Sequence, residues 1–195
     1  MAITMKDVRA WLDPDEPNYA GAKSLGPAAL PFLLELVRGG DLGLGSKATY
    51  LASLIASDKS VEVIEAAAGT NEPILRVAAA SGLQNLQPAH AERVLNTLKK
   101  DPDPGVRKVM VTSASRVSSP GVAAVLKQIA RSDPEPFVRT TTAALLAAPR
   151  ERTLARARKV AKKAASRKGR KAASRKGRKA APRKGRKAAP RKGKR

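Results

Sequence analysis

The sequence predicts an all-α fold: an α-solenoid of about four to five helical hairpins, followed by a disordered basic tail. Three observations carry that expectation. The first is a repeat. The segments Asp41-Leu-Gly-Leu-Gly-Ser-Lys47, Asn71-Glu-Pro-Ile-Leu-Arg76, Asp101-Pro-Asp-Pro-Gly-Val-Arg107 and Asp133-Pro-Glu-Pro-Phe-Val-Arg139 each set a basic residue ahead of an alanine-rich apolar run. From Lys47 to Arg76, Arg107 and Arg139 the steps are 29, 31 and 32 residues, the length of one hairpin. The second is helical periodicity inside each unit. The third is a break in composition: of 39 Lys plus Arg and 16 Asp plus Glu, 22 basic residues and one acid lie from Glu151 onward, leaving 17 and 15 in residues 1–150. The body is almost neutral and the tail almost purely cationic.

The elements follow in order. An opening hairpin is expected from Tyr19 to Leu25, a Gly26-Pro27 turn, and Ala28 to Arg38 ending at Gly39-Gly40. Pro31 falls in the first turn of that helix, where a missing amide is tolerated. Ala48, Leu51, Leu54 and Ile55, then Val77, Ala80, Leu83 and Leu86, recur at the spacing of one helix face. Their partner helices are read at Val61 to Ala68, Ala89 to Leu98 and Val122 to Ala130. A last helix, Arg150 to Ala165, carries only Leu154 and Val160 as large apolar residues. The expected domains are residues 1–150, long enough to bury a core, and a tail of residues 151–195, helical to about Ala165 and then disordered.

The turn segments, the alanine-rich helices and the stretch Leu25-Gly-Pro-Ala-Ala-Leu-Pro-Phe-Leu-Leu-Glu-Leu-Val37 resemble bacterial HEAT repeats of the phycobilisome-lyase-like kind over roughly residues 18–148. That resemblance implies the fold. The family includes scaffolds, chromophore lyases and a branch of alkylpurine DNA glycosylases, so it selects no activity.

From Ser166 the chain repeats an octad of a serine or proline, two cations, a glycine, two cations and two alanines. No residue in it can bury enough surface to offset the entropy of ordering, and each glycine weakens a helix further. The cations of these octads are the expected nucleic-acid-binding residues: Arg167, Lys168, Arg170 and Lys171; Arg175, Lys176, Arg178 and Lys179; Arg183, Lys184, Arg186 and Lys187; and Arg191, Lys192, Lys194 and Arg195. Engaged on duplex DNA, the 22 cations of the tail would neutralise about 11 base pairs. Arginine offers bidentate phosphate contacts and lysine a mobile charge. Without an aromatic or bulky apolar side chain there is nothing to stack on or wedge between bases. The octads resemble the tails of linker histones and bacterial histone-like proteins. Pro182-Arg-Lys-Gly-Arg-Lys187 also resembles an AT-hook, although a lysine stands where its core arginine would be.

In the body, Lys99, Lys100, Arg107, Lys108, Lys127 and Arg131 are candidates for an auxiliary basic surface. The repeat-start cations Lys47, Arg76, Arg107 and Arg139 could form a positive ladder. The stronger reading is structural: the resemblance to HEAT repeats implies that these cations bond acidic or carbonyl groups of the adjoining turns, where Asp41, Glu72, Asp103 and Glu135 are placed to accept. The absence of cysteine excludes disulfides and thiol chemistry. The single histidine, His90, stands in no metal-ligand or catalytic pattern, so no cofactor and no metal are expected.

These readings converge on a non-enzymatic, nucleoid-associated protein of the cytoplasm. Its tail holds DNA, with RNA meeting the same electrostatics, and its solenoid serves an unidentified protein partner or adds weaker DNA contacts. The alternative is an interaction scaffold whose tail attaches to RNA, the ribosome or an anionic membrane. A glycosylase-like or bilin lyase-like enzyme ranks last. No apolar stretch is long enough for a membrane span.

Overall fold

A computed structural model of the chain describes residues 3–148 apart from Ala56. The helix expected over Arg150 to Ala165, the octads and the boundary at residue 150 lie outside the described residues. The elements are α1 (Met5–Leu12), α2 (Tyr19–Ala22), a 3-10 segment (Lys23–Ala29), α3 (Leu30–Arg38), α4 (Leu42–Leu54), α5 (Ser60–Ala68), α6 (Pro73–Gly82) with a 3-10 turn (Leu83–Asn85), α7 (Pro88–Leu98), α8 (Pro104–Ala114) and α9 (Pro120–Ser132). A further helix, α10, spans residues 136–148. The described residues contain no strand.

Proline and short polar side chains set where these helices begin. α6, α7, α8 and α9 open on Pro73, Pro88, Pro104 and Pro120, and residue 136, which opens α10, is also proline. The first amide of a helix has no intrahelical acceptor, and the fixed proline φ already suits the turn. Asp41, Asp103 and Ser119 add side-chain caps, accepting from the amides of Leu44, Gly105 and both Gly121 and Val122. Such caps are each worth about 1 kcal/mol.

The helices stack in two layers. α4, α6 and α8 follow one another in one layer, while α3, α5, α7 and α9 do so in the other. Four hairpins result, α2/α3, α4/α5, α6/α7 and α8/α9, and α10 opens the next. Leu33, Leu51, Ile64, Leu75, Leu83, Leu95, Leu98 and Met110 are fully buried between the layers, each contributing about 1.5–3 kcal/mol relative to exposure. α4 and α6 approach closely at Gly82, where a Cβ would lie 2.9 Å from Ser53 Cβ. The α-solenoid expected from the sequence is the fold of the described body.

Two local expectations need correction. The first hairpin does not open on a continuous helix from Tyr19 to Leu25. α2 ends after four residues and gives way to the 3-10 segment, within which Gly26 adopts φ 64°, a conformation glycine takes without steric cost. The sequence reading also missed α1. Thr4 caps it reciprocally with Asp7, its hydroxyl accepting from the Asp7 amide while the Asp7 carboxylate accepts from the Thr4 amide and hydroxyl. Trp11 lies half-buried against Gly21, whose missing Cβ would fall 2.6 Å from the indole ring, so it packs onto the first hairpin.

Candidate partner-binding edge

The turns that begin each unit line one edge of the stack, and a repeated ion pair fixes their spacing. Arg76, in the first turn of α6, donates from Nε to Asp101 Oδ2 at 2.7 Å and from Nη2 to Oδ1 at 3.2 Å, while Nη1 donates to the Thr70 carbonyl at 3.2 Å. Arg107, in the same place on α8, repeats this with Asp133 at 2.8 and 3.0 Å and with the Asp101 carbonyl at 2.6 Å. Each aspartate also accepts from a backbone amide two residues on, Asp103 or Glu135, at 2.9 Å. All four side chains are buried. A planar guanidinium meeting a carboxylate along two parallel bonds is the geometry that makes such pairs directional.

The electrostatics follow. Hydrogen bonding to Asp101 and Asp133 holds the Arg76 and Arg107 guanidinium groups above their ordinary range, against the opposing effect of burial. Burial pushes the Asp133 carboxyl up, but Arg107, the Glu135 amide and nearby Arg139 together outweigh it and hold the group below the usual carboxylate range.

Carbonyls of the adjoining turns accept as expected, but the carboxylates are not those the sequence suggested. Glu72 and Glu135 make no ion pair with the cation of their own turn, and Asp41 and Asp103 serve as helix caps. The carboxylate comes instead from the turn of the following unit, because stacking sets consecutive turns side by side. Lys47 departs from the pattern. Thr70, whose carbonyl accepts from Arg76 as that of Asp101 does from Arg107, stands where the later units carry Asp101 and Asp133, and Lys47 donates backward, to the carbonyls of Leu12 at 3.0 Å and Pro14 at 2.7 Å. Arg139 donates to the carbonyls of Asp133 and Pro134.

The auxiliary basic surface is therefore smaller than expected. Arg107 does not belong to it: its side chain is 6% exposed and committed to Asp133. Lys100, Lys108, Lys127 and Arg131 are exposed and Lys99 is half-buried, donating to Asn96 at 2.8 Å. Lys127 and Arg131 lie one turn apart on α9, whereas Lys108 belongs to α8 in the other layer and stands 5.9 Å from the Phe137 ring centroid. The tail cations, from Arg167 to Arg195, lie outside the described residues.

Between the Asp101 and Asp133 turns lies a cleft of about 450 Å³. Val125, Ile129, Pro102 and Pro134 give it apolar walls, while Lys99 and Lys100 stand at its side with Gln128 and Ser132. Its two carboxylates already face arginines, so the lysines supply the charge left open to an occupant. A second, smaller hollow of about 290 Å³ gathers Ser53, Ser57, Asp58, Ser60, Asn85 and His90. Among the described residues no group of three His, Cys, Asp or Glu could hold a metal ion, and no helix is long and apolar enough to cross a membrane.

Residues 60–147 match the family model described as HEAT repeats. The body is HEAT-like. A solved structure described as the complex of CpcE and CpcF of phycocyanin lyase from Nostoc sp. PCC7120 contains a chain with the same fold, at a TM-score of 0.56 and 23% identity, covering 72% of this chain and 96% of that one. No curated protein sequence matches. The likeness in fold overturns the expectation that the chain is not an enzyme. A solenoid of this architecture occurs within a lyase complex, so a missing familiar motif carries no weight against catalysis, which resides in a site and not in the fold.

Proposed function

We propose that the HEAT-like body is a protein-interaction scaffold, and that its cleft between the Asp101 and Asp133 turns receives an acidic, partly apolar segment of a partner protein. The observation that carries this reading is the pairing inside the cleft. Arg76 and Arg107 neutralise its carboxylates, leaving Lys99 and Lys100 as open cations beside Val125 and Ile129. An apolar surface with a few convergent charges is what a recognition pocket requires. Repeat stacks also present extended binding surfaces by construction.

In the same reading, residues 152–195 tether the scaffold to a polyanion. The 22 cations against one acid from Glu151 onward favour phosphate backbones, with nucleic acid, DNA or RNA, ahead of anionic membrane because the tail has no apolar anchor. Association with the nucleoid would follow from DNA as that polyanion.

Two variants separate the halves of this proposal. Reversing Lys99 and Lys100 to glutamate is expected to abolish capture of the protein partner while leaving duplex binding in a mobility-shift assay within about twofold, the tail carrying the phosphate contacts. Ending the chain at Ala148 is expected to do the opposite. Retention of the partner by the charge-reversed protein would reject the cleft as its site.

A second reading has one specific support. The likeness to a chain of a phycocyanin lyase complex coincides with a cleft whose volume suits a small molecule. Equilibrium dialysis against a bilin tests it: uptake by the wild type that Val125→Trp eliminates would favour a lyase-like role over protein recognition.

A further inference from the structure

The clamp series ends on an arginine without its aspartate. Arg139 occupies on α10 the place that Arg76 and Arg107 occupy on α6 and α8, and like them it donates from Nη1 to the carbonyl six residues earlier. Its Nε–Nη2 edge has no such partner: the ion pairs among the described residues are Arg9–Asp13, Arg76–Asp101, Arg93–Glu65 and Arg107–Asp133. The sequence after Arg139 does not repeat the aspartate at the clamp spacing. In the two finished clamps the aspartate follows its arginine by 25 and 26 residues, and the corresponding positions here are Ala164 and Ala165. Glu151 is the one acid after residue 139. Beside this end Phe137 is 43% exposed.

The opposite end of the stack carries the complementary group. Asp13-Pro14-Asp15 follows α1 with the same order, aspartate, proline, acid, as Asp101-Pro102-Asp103 after α7 and Asp133-Pro134-Glu135 after α9. α1 packs on α2, α3 and α4, at the N-terminal end of the stack. The Asp13 side chain is 50% exposed and held by Arg9 at 3.3 Å, an exposed contact of small value.

From this complementarity we infer that the body binds a second copy of this chain head to tail. Arg139 of one protomer clamps Asp13 of the next, with the α1 end of that protomer seated against Phe137 and α10. The contact is heterologous, joining two different patches, so it propagates into chains and does not close as a pair. Docking exchanges the Asp13–Arg9 contact for the clamp and draws the Asp13 backbone from its helical φ −61°, ψ −36° toward the extended φ −62°, ψ 137° of Asp133. Phe137 supplies the apolar anchor and the arginine fork the register. This surface is separate from the Lys99 and Lys100 cleft, and the inference does not depend on what that cleft binds.

Sedimentation velocity of the full chain, nuclease-treated and at near-physiological salt, tests it. The wild type is expected to grow from monomer to dimer and longer species as concentration rises. Asp13→Asn and Arg139→Gln are each expected to weaken association by about tenfold or more. An equimolar mixture of the two variants should form dimers and nothing larger, because one supplies an intact Arg139, the other an intact Asp13, and both outer ends are blocked. Circular dichroism establishes that Arg139→Gln folds; should it not, Asp13→Asn on its exposed turn decides alone. A wild type that stays monomeric overturns the inference and leaves the clamp to an acidic turn of a different protein. Undiminished association by Asp13→Asn also overturns it.

Discussion

Arg107 on α8 holds Asp133 of the following turn through two parallel hydrogen bonds, Nε to Oδ2 at 2.8 Å and Nη2 to Oδ1 at 3.0 Å, with both residues buried. Removing one partner strands the other charge in the interior. Asp133→Ala is therefore expected to destabilise the body by about 3–5 kcal/mol, whereas an apolar pair of similar volume, Arg107→Met with Asp133→Leu, should cost much less. Urea denaturation of the two variants checks the ordering, and equal losses would show that the charges themselves contribute net stability.

Acid should loosen the same joint. The folded protein holds the Asp133 carboxyl below its ordinary value of 3.8, so the unfolded chain takes up the proton more readily. The contribution is complete above that value and is lost as pH falls through the lower folded value. Thermal unfolding followed below about pH 4 should show a falling midpoint, and Asp133→Asn should flatten the slope in that range.

At Gly82 the prediction is steric. A Cβ there would sit 2.9 Å from Ser53 Cβ and 3.3 Å from its hydroxyl oxygen, and that hydroxyl also accepts from Asn85 Nδ2 at 3.0 Å. Gly82→Ala should cost about 1–3 kcal/mol through forced separation of α4 and α6, despite the better helix propensity of alanine. A neutral or stabilising result in chemical denaturation would show that the two helices part without strain.

For the tail, residues 182–195 hold eight of the 22 cations that follow Glu151. Deleting them should lower the magnitude of the log K against log salt slope on duplex DNA by up to about 7, the counterion equivalent of eight phosphates. An unchanged slope would place the contacts elsewhere in the chain.

Much of the fold was legible because local chemistry and long-range packing agree in this chain. Pro73, Pro88, Pro104 and Pro120 mark helix starts, and the alanine-rich faces between them have a helical period. Less could be read at the N-terminus. α1 buries only Val8 and Leu12, too short a stripe for periodicity to reveal, although Thr4 and Asp7 already had the spacing of a reciprocal cap. The clamps were harder still. Sequence placed Arg76 and Arg107 as structural cations and foresaw carbonyl acceptors in their own turns, but it looked for their carboxylates there too, since proximity along the chain is visible and the stacking of one unit on another is not. Counting Arg107 as surface charge had the same origin. Its alignment with Arg76 was the available signal that both serve one structural purpose. The cleft joins residues from two turns 32 positions apart, Asp101 and Asp133, a relation that exists only after the units stack.

The presence of Thr70 where later units carry an aspartate divides the molecule's response to its surroundings. At Arg76 and Arg107 consecutive turns are fastened by buried charge, whereas Lys47 reaches back to Leu12 and Pro14 and leaves the junction of α4 with α6 to apolar packing and the Asn85–Ser53 hydrogen bond. Apolar association fades on cooling, while proton uptake by Asp133 loosens the charged joint at Arg107. Cold and acid should therefore open this protein at different seams.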